Sequence, residues 1–326
     1  MKMITLDVSP AIINRTAVYH MIMDLGERLS ADFNTELSVV GKKIGCNQSP
    51  AFIHSLNSKK RKSLEKLISN HINKSRFRLL DDFQFNFPVR NETIRLFFDV
   101  LYVPFGRLSS RDFVVVHDLT TITFPDWHGE RVSNAYCKAF RRVSASGCQI
   151  ISDSNSTTNE LRYHLGISHD RIHTIPLYLR RRLSNAASKP SLGVNEKFFL
   201  FVGNLEKRKN IIGLIHGFER TGLVHQGYSL KIVGMDGSGA NEIKELSSKI
   251  VGVELLGFLE DETLEWLYAN CRAFIYPSFW EGFGMPLLEA MSWGCVCIST
   301  ESGASPEVGG NTVIYIDIVE QEPSKT

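Results

Sequence analysis

The chain has 326 residues, 43% of them hydrophobic, and a formal net charge of +2 at pH 7. This length and apolar content suffice for two domains that each bury a core, and they exclude a largely disordered chain. The small net charge gives no indication of a nucleic-acid partner, and no run approaches the roughly 18 consecutive apolar residues of a membrane-spanning helix.

The cysteines and the N-terminal segment indicate a reducing compartment. The six cysteines show no Cys-x-x-Cys spacing, which favours free thiols over a disulfide framework or a metal site. Cys295 and Cys297 alternate on one face of a predicted strand, as core residues do. The N-terminal segment lacks the apolar run of a signal peptide. We therefore expect a cytoplasmic protein.

The first half of the chain alternates strands and helices, as Rossmann-like domains do. Residues 2–8 predict a buried strand and 16–29 a helix, joined by a turn that contains no glycine. A helix capped near Ser156 is expected to end at Gly166. Further strands are predicted around Val39 and at 95–104, 113–117, 149–152 and 171–176.

Residues 58–78 combine a dense basic run with an apolar face of helical spacing. One interpretation is a basic amphipathic helix on an anionic membrane surface. The other is a helix that packs its apolar face on the core and leaves its basic face in solvent. The pattern alone does not choose between them. The basic residues are Lys59, Lys60, Arg61, Lys62, Lys66, Lys74, Arg76 and Arg78, and the apolar residues are Leu64, Leu67, Ile68 and Ile72.

The second half predicts a parallel sheet, because strands and helices alternate again. Residues 184–196 have the small, polar, Pro/Gly composition of a linker, which divides the chain into domains 1–183 and 197–326. Asp261 is the predicted N-cap of a helix over 261–270. The predicted strands are 197–202, 228–233, 253–256, 272–276, 295–299 and 313–316.

Arg208 and Lys209 lie where a predicted strand end meets a helix start. Two cations add positive charge to the positive end of the helix dipole, which is unfavourable without an anion nearby. A diphosphate held by charge-assisted hydrogen bonds would compensate them. The sequence therefore predicts an anion site at this loop.

A second glycine loop begins a helix that also suits a phosphate group. Gly282 and Gly284 leave the backbone open to close approach, and Pro286 suits a first helical turn. The open N–H groups of a helix start bind anions. We expect contacts from this loop, which comprises Gly282, Phe283, Gly284, Met285 and Pro286.

Glu281 and Glu289 flank this loop. At helical rise their separation is about 12 Å, too far for two carboxylates that act as a pair in retaining glycoside hydrolysis. They can instead contact one extended ligand at two places, by accepting hydrogen bonds from hydroxyl groups. The alternative is that both are surface charges.

The stretch EGFGMPLLEAMSWGCVCIST at 281–300 resembles the donor-site signature of retaining glycosyltransferases of family 4. That family has the α/β architecture named GT-B, in which two Rossmann-like domains face each other across a cleft. HDL at 117–119 and FPDWH at 124–128 are similar to the N-domain signature of the family's bacterial mannosyltransferases. The further C-terminal helices of the family are absent from this sequence, so a shortened second domain and a partner chain or poor solubility are expected.

The resemblance implies roles for individual residues. Lys209 and Arg208 would contact the donor's phosphates, Glu281 the donor sugar and Glu289 the ribose, while His117 would face the sugar from the other domain. The glycine-free first turn implies an altered phosphate contact in the first domain. No cofactor and no metal are expected. Acceptor-side candidates are Asp118, Asp126, Trp127 and His128.

The implied function is a retaining transfer of a hexose, mannose from GDP-mannose, onto a saccharide or lipid-linked saccharide during surface polysaccharide synthesis. The protein is expected in the cytoplasm, where the basic segment 59–78 would contact the inner face of the cell membrane. No residue is expected to act as a covalent nucleophile. Two alternatives stay open: a sugar-nucleotide epimerase or hydrolase, and an inactive GT-B remnant that serves as a binding subunit.

Overall fold

The computed structural model describes residues 3–13, 17–46, 50, 53, 58–77, 93–103, 108–179 and 197–318. The chain divides into two compact units, Met1–Pro176 and Leu177–Thr326. We refer to them as unit 1 and unit 2. The predicted linker at 184–196 lies outside the described residues, so the predicted domain bounds remain a prediction.

Unit 1 is built on a sheet whose strands are parallel except for one antiparallel edge pair. The strand order is β3-β2-β1-β4-β5-β6-β7, and β2 and β3 form the antiparallel pair. The strands are β1 (Met3–Asp7), β2 (Asn34–Val39), β3 (Lys42–Cys46), β4 (Thr93–Phe97), β5 (Asp112–Val116), β6 (Gln149–Ser152) and β7 (Ile172–Thr174). Strand β3 was not predicted from the sequence.

The helices of unit 1 cover this sheet. They are α1 (Ser9–Ile13), α2 (Ala17–Asp32), α3 (Ser58–Phe77), α4 (Thr120–Thr123), α5 (Glu130–Ala145) and α6 (Asn155–Leu165). The hydroxyl of Ser154 accepts the Thr157 N–H at the start of α6, and Gly166 ends this helix in the left-handed conformation. The cap is therefore two residues before the predicted Ser156.

Helix α3 packs its apolar face on the core of unit 1. Ile68 is fully buried, and Leu64, Leu67 and Ile72 pack beside it. The basic face carries exposed lysines. The apolar side chains are therefore occupied within the protein, and only the charged face is open to an anionic surface.

The predicted strand over 95–104 is wrong in its second half, because the chain turns after Phe97. The carboxylate of Asp99 accepts the N–H of Leu101 at 2.7 Å and caps a short 3-10 turn over Val100–Tyr102. The continuous apolar run therefore contains both a strand and a buried turn, which hydrophobicity alone does not separate.

Unit 2 has a fully parallel sheet with the order β10-β9-β8-β11-β12-β13. Its strands are β8 (Phe198–Val202), β9 (Ser229–Val233), β10 (Val253–Gly257), β11 (Ala273–Tyr276), β12 (Cys297–Ser299) and β13 (Ile314–Tyr315). Its helices are α7 (Ile211–Thr221), α8 (Ala240–Lys249), α9 (Asp261–Asn270), α10 (Met285–Ser292) and α11 (Ser305–Gly309). The predicted alternation of strands and helices is confirmed.

Two local predictions in unit 2 are wrong. The N-cap of α9 is Glu260, so Asp261 is the first helical residue, where its charge favours the helix dipole. Strand β12 begins at Cys297, so the strand assignment of Cys295 is wrong, although Cys295 is partly buried and packs against the core as predicted. Cys295 lies in the preceding turn, where its sulfur is 3.7 Å from that of Cys271.

Candidate functional site

Lys209 lies in the loop between β8 and α7, inside a single 3-10 turn over Lys207–Lys209. Its side chain is nearly buried, with 6% of its surface exposed. The ammonium group donates to the hydroxyl of Tyr276 at 2.6 Å and to Oε1 of Glu281 at 2.6 Å. The loop after β8 is thereby fixed to the loop after β11.

Arg208 strengthens this link between the two loops. Its Nε donates to Oε2 of Glu206 at 2.8 Å, and its Nη1 donates to Oε2 of Glu281 at 3.0 Å. The same Nη1 donates to the Trp280 carbonyl at 3.1 Å, and the Phe279 N–H donates to the Arg208 carbonyl at 2.8 Å. Because β8 and β11 are neighbours in the sheet, both loops leave the same edge.

Glu281 is the electrostatic centre of this network. Burial opposes ionisation of its carboxyl, but Lys209 and Arg208 outweigh burial and lower the pKa of Glu281 to about 2. Burial, together with Arg208, lowers the pKa of Lys209, and Glu281 counteracts that change. Glu281 is therefore a buried carboxylate, and the surface-charge alternative is wrong for it.

The compensating anion expected beside Arg208 and Lys209 is partly supplied by the chain itself. Glu281 contacts both cations, and Glu206 contacts Arg208. This contact could not be predicted locally, because Glu281 lies 72 positions after Lys209. The cation pair is therefore already fixed in place by side chains of unit 2.

The glycine loop begins α10 as predicted. Gly284 has φ of +94° and precedes the helix, and Pro286 lies in the first turn. A side chain at Gly284 would be strained by this left-handed backbone. Gly282 and Gly284 are buried, whereas Phe283, Met285 and Pro286 are partly exposed.

Glu289 lies on α10 and is half-buried. The hydroxyl of Tyr268 donates to its Oε2 at 3.1 Å. Burial, followed by the charge of Glu289, raises the pKa of Tyr268. Glu289 is thus held against α9 by a neutral hydroxyl.

Gly303 is a residue of this site that the sequence argument missed. It has φ of +60°, and a Cβ there would lie 2.2 Å from the Glu281 carbonyl oxygen. The next residue, Ala304, donates its N–H to the same oxygen at 2.9 Å. The signal in the sequence is the run of small residues SGAS at 302–305, shortly after β12 ends at Ser299.

His117 follows β5 in unit 1, and hydrogen bonds hold both of its ring nitrogens. Nδ1 contacts Oδ2 of Asp153, and Nε2 lies 3.0 Å from the Phe98 carbonyl. Both partners are acceptors, so both ring nitrogens must carry protons. Burial lowers the pKa of His117, but Asp153, and less strongly Asp99, outweigh it and raise this pKa to about 9. His117 is therefore an imidazolium at neutral pH.

Asp153 was not predicted as a functional residue, although it directly follows β6 beside the strand that precedes His117. Asp99 belongs to the same charged group. Burial raises the pKa of Asp99, although the Leu101 N–H stabilises its ionised form. The Tyr136 hydroxyl donates to Asp99 at 3.0 Å.

The acceptor-side candidates of unit 1 lie around α4. Asp118 accepts from the Thr120 N–H at 3.0 Å and from its hydroxyl at 2.6 Å. His128 Nε2 lies 2.9 Å from the same hydroxyl. Trp127 stacks on Phe124 with ring centroids 4.1 Å apart, and Asp126 is exposed. The structure thus brings Asp118 and His128 together through Thr120.

The carboxylate of Asp7 lies at the start of the glycine-free first turn of unit 1. It accepts from the N–H and hydroxyl of Ser9 in that turn, and from the Ser38 hydroxyl at 3.0 Å and the Gly41 N–H at 2.9 Å near the turn between β2 and β3. Burial raises the pKa of Asp7. The chain's own carboxylate therefore takes the donors of Ser9, and the altered phosphate contact of this turn stays a prediction.

The described part of the chain contains no group of three or more His, Cys, Asp or Glu residues that could hold a metal ion. Among the helices described, none combines the length and the apolar character needed to cross a membrane.

Comparison with known proteins agrees with this geometry. Residues 185–321 match the family Glycosyl transferases group 1. The O-antigen chain mannosyltransferase B of Escherichia coli is 29% identical over 62% of this chain and 56% of its own length. The MMP alpha-(1->4)-mannosyltransferase of Mycolicibacterium hassiacum is 26% identical over 56% of this chain and 43% of its own. The chain thus spans about half the length of these relatives.

Solved structures show the same fold at low sequence identity. WaaG, a glycosyltransferase involved in lipopolysaccharide biosynthesis, aligns over 94% of this chain and 83% of its own with a TM-score of 0.60 and 13% identity. Sucrose-phosphate synthase from Thermosynechococcus elongatus aligns over 97% and 86% with a TM-score of 0.62 and 16% identity.

The sheet of unit 2 is parallel and that of unit 1 is parallel apart from one edge pair, and the solved structures show that this is the GT-B fold. The second half of the chain matches the glycosyltransferase family model and the chain is similar to bacterial mannosyltransferases, so the resemblance predicted from residues 281–300 is confirmed.

Proposed function

We propose that the protein transfers mannose from GDP-mannose, with retention of anomeric configuration, onto a saccharide or lipid-linked saccharide acceptor in surface polysaccharide synthesis. The observation that carries this proposal is the buried network of Arg208, Lys209 and Glu281 beside the start of α10. The similarity to mannosyltransferases supports the choice of sugar.

The reaction breaks the bond between the anomeric carbon and the diphosphate oxygen and forms a bond to an acceptor oxygen. Negative charge grows on the leaving nucleoside diphosphate. The proposed groups that stabilise this charge are Lys209, Arg208 and the backbone N–H groups from Gly282 to Met285, with Pro286 in the first turn of the helix they precede. Fixed donors stabilise such charge strongly because they need no reorganisation during the reaction.

The carboxylates have positioning roles in this proposal. Each oxygen of Glu281 accepts from one cation, and a carboxylate has further lone pairs that can accept from sugar hydroxyls. Glu289 is the proposed ribose contact. His117 is the proposed donor-sugar contact of unit 1, with its Nε2–H exchanging the Phe98 carbonyl for a sugar oxygen.

The acceptor is assigned to the residues around α4 in unit 1, namely Asp118, Asp126, Trp127 and His128. A lipid-linked acceptor would bring the protein to the inner face of the cell membrane. The exposed lysines of α3 are the proposed contact with that surface, and they act through charge because the apolar face packs on the core.

A transfer assay tests the proposal. Purified protein is incubated with GDP-mannose and an acceptor, and the glycosylated product is measured by mass spectrometry and its linkage by NMR. Lys209→Ala and Glu281→Ala should each reduce turnover at least tenfold, as expected for loss of a charge-stabilising or positioning group. Lys244→Ala, which removes an exposed ion pair with Asp236 in the same unit, is the matched control. Wild-type turnover in either site variant contradicts the proposal.

One observation favours a second candidate, a GT-B remnant that binds nucleotide sugar without transferring it. The Asp7 carboxylate accepts from the N–H and the hydroxyl of Ser9 in the first turn, so these two donors are already used within unit 1. Product analysis separates the candidates. Binding without any turnover indicates the remnant, release of free mannose with or without acceptor indicates a hydrolase, and an acceptor-dependent product indicates the transferase.

A further inference from the structure

Tyr276 brings its hydroxyl group to the centre of the cation network from the end of β11. The residue is fully buried, and its ring stacks between neighbours, with centroid distances of 6.0 Å to Phe201 and 5.6 Å to Phe274. These contacts fix the ring and therefore the position of the hydroxyl. A phenylalanine would fill the same space, and it would avoid the cost of burying a polar group.

The hydroxyl of Tyr276 and the carboxylate of Glu281 hold the same ammonium group. The hydroxyl accepts from the Lys209 ammonium at 2.6 Å, and Oε1 of Glu281 accepts from it at 2.6 Å. Burial, followed by the charge of Glu281, raises the pKa of Tyr276. Lys209 is thus held by one neutral and one charged acceptor.

The Lys209 ammonium has one more N–H group than these two hydrogen bonds use. A lysine ammonium has three N–H groups. In the part of the chain that the structure describes, Tyr276 and Glu281 take two of them. Two fixed hydrogen bonds also define the direction of the third N–H, because the three are arranged tetrahedrally about the nitrogen.

The neutral state of Tyr276 matters as much as its position. A second carboxylate could also orient Lys209, but it would cancel charge that a diphosphate needs. Glu281 and Glu206 already balance much of the charge of Arg208 and Lys209. A hydroxyl whose pKa lies well above its ordinary value fixes the ammonium without adding negative charge.

We propose that Tyr276 is a positioning residue: its hydroxyl, together with Glu281, holds the Lys209 ammonium so that the third N–H is directed at the diphosphate of the bound nucleotide. This inference rests on the proposed function, because it takes a nucleoside diphosphate as the ligand of Lys209.

Tyr276→Phe removes the hydroxyl and keeps the ring. GDP affinity measured by calorimetry at pH 7.5 should fall about tenfold, the usual loss for a hydrogen bond to a charged group. The loss of affinity at alkaline pH should begin at a lower pH in the variant, because the buried ammonium loses a partner and its pKa falls further. Tyr315→Phe, which removes a hydroxyl bonded to the Gly310 carbonyl, is the matched control.

A double-mutant cycle distinguishes positioning from a general structural effect. If Tyr276 acts through Lys209, the pair Lys209→Met and Tyr276→Phe binds GDP as weakly as Lys209→Met alone. Additive losses, or unchanged affinity and pH dependence in Tyr276→Phe, overturn the inference and leave the proposed function intact.

NMR of the labelled Lys209 side chain measures the pKa of its ammonium group in the absence of nucleotide. The signal is assigned by its loss in Lys209→Met. The ammonium pKa should be lower in Tyr276→Phe than in the wild type, and an equal pKa overturns the inference. If the wild type binds none of GDP, UDP and dTDP, the proposed function fails, and this pKa still tests the hydrogen bond. If Tyr276→Phe does not fold, the same NMR measurement is made on Tyr276→Met, which has no hydroxyl and a flexible side chain that adapts to a buried site, and the same two outcomes apply.

Discussion

Single residues in this protein hold charges that would be unfavourable alone. Glu281 divides its two oxygens between Lys209 and Arg208, and His117 is protonated because Asp153 lies beside it. Removing one member of such a buried pair leaves the other charge uncompensated, which typically costs about 3–5 kcal/mol. Substitutions at these residues therefore need a stability measurement beside every activity measurement.

The pair of His117 and Asp153 predicts a pH dependence of stability. The folded protein raises the pKa of His117 from 6.5 to about 9, so the folded state binds this proton more tightly than the unfolded state. The stabilisation is fully present below pH 6.5 and is lost as the pH rises through 9. Because a quarter of the histidine side chain is exposed, we expect a loss on the order of 2 kcal/mol.

Urea unfolding of the wild type and of His117→Gln at pH 6 and pH 9.5 measures this loss. The free energy of unfolding should fall more in the wild type than in His117→Gln over that interval. His173→Gln, at an exposed histidine that contacts Gln149 in the same unit, is the control and should fall as the wild type does. Equal pH dependence in the wild type and His117→Gln would show that the ion pair contributes nothing.

We expect a substitution at Gly303 to weaken GDP binding, because a side chain there has no room beside the backbone of Glu281. Gly303→Ala places a methyl group where the Glu281 carbonyl lies 2.2 Å away, so the backbone of Glu281 must move. We expect GDP affinity to fall at least tenfold, because a displacement of about 1 Å at a binding group can reduce function a hundredfold. Gly257→Ala, at a similar φ of +67° with open space around it, reports backbone strain alone. The interpretation fails if both variants bind GDP equally well.

At the scale of elements, the strands and helices could be predicted from the sequence better than the contacts made by the loops that connect them. The alternation in 197–299 and the start of α10 at a glycine and a proline were correct, because periodicity and turn chemistry are local. The contact of Lys209 with Glu281 was not predicted, because it requires β8 and β11 to be neighbours, which no local pattern states. Asp99 shows a different limit, since its cap is local but lies inside an apolar run whose pattern does not separate a strand from a buried turn.

Helix α3 predicts how the protein would meet a membrane. The substitutions Lys59→Glu, Lys60→Glu, Lys62→Glu and Lys66→Glu reverse exposed charges and leave the packed apolar face unchanged. Sedimentation with vesicles that contain phosphatidylglycerol should show binding by the wild type and none by the variant, since each basic residue contributes about 1 kcal/mol near an anionic surface. Lys244→Glu with Lys249→Glu in unit 2 is the control. Unchanged vesicle binding in the α3 variant rules out this contact.

For the whole molecule, the GT-B fold could be predicted from the sequence because residues 281–300 resemble the donor-site signature of family 4 glycosyltransferases. The resemblance is confirmed by the match of 185–321 and by solved structures. Three residues that contact predicted site residues were not predicted: Tyr276 and Gly303 in unit 2, and Asp153 in unit 1. Their roles come from contacts between segments far apart in the chain, and only the sheet order brings those segments together.

The central claim is that the cation pair and the start of α10 bind the diphosphate of a nucleotide sugar. Calorimetric titration of GDP into the wild type and into Lys209→Met tests it most directly. The account predicts saturable binding to the wild type and affinity at least tenfold weaker in Lys209→Met, with both proteins folded by circular dichroism. Wild-type protein that binds none of GDP, UDP and dTDP, or a variant that binds as tightly as the wild type, would contradict it.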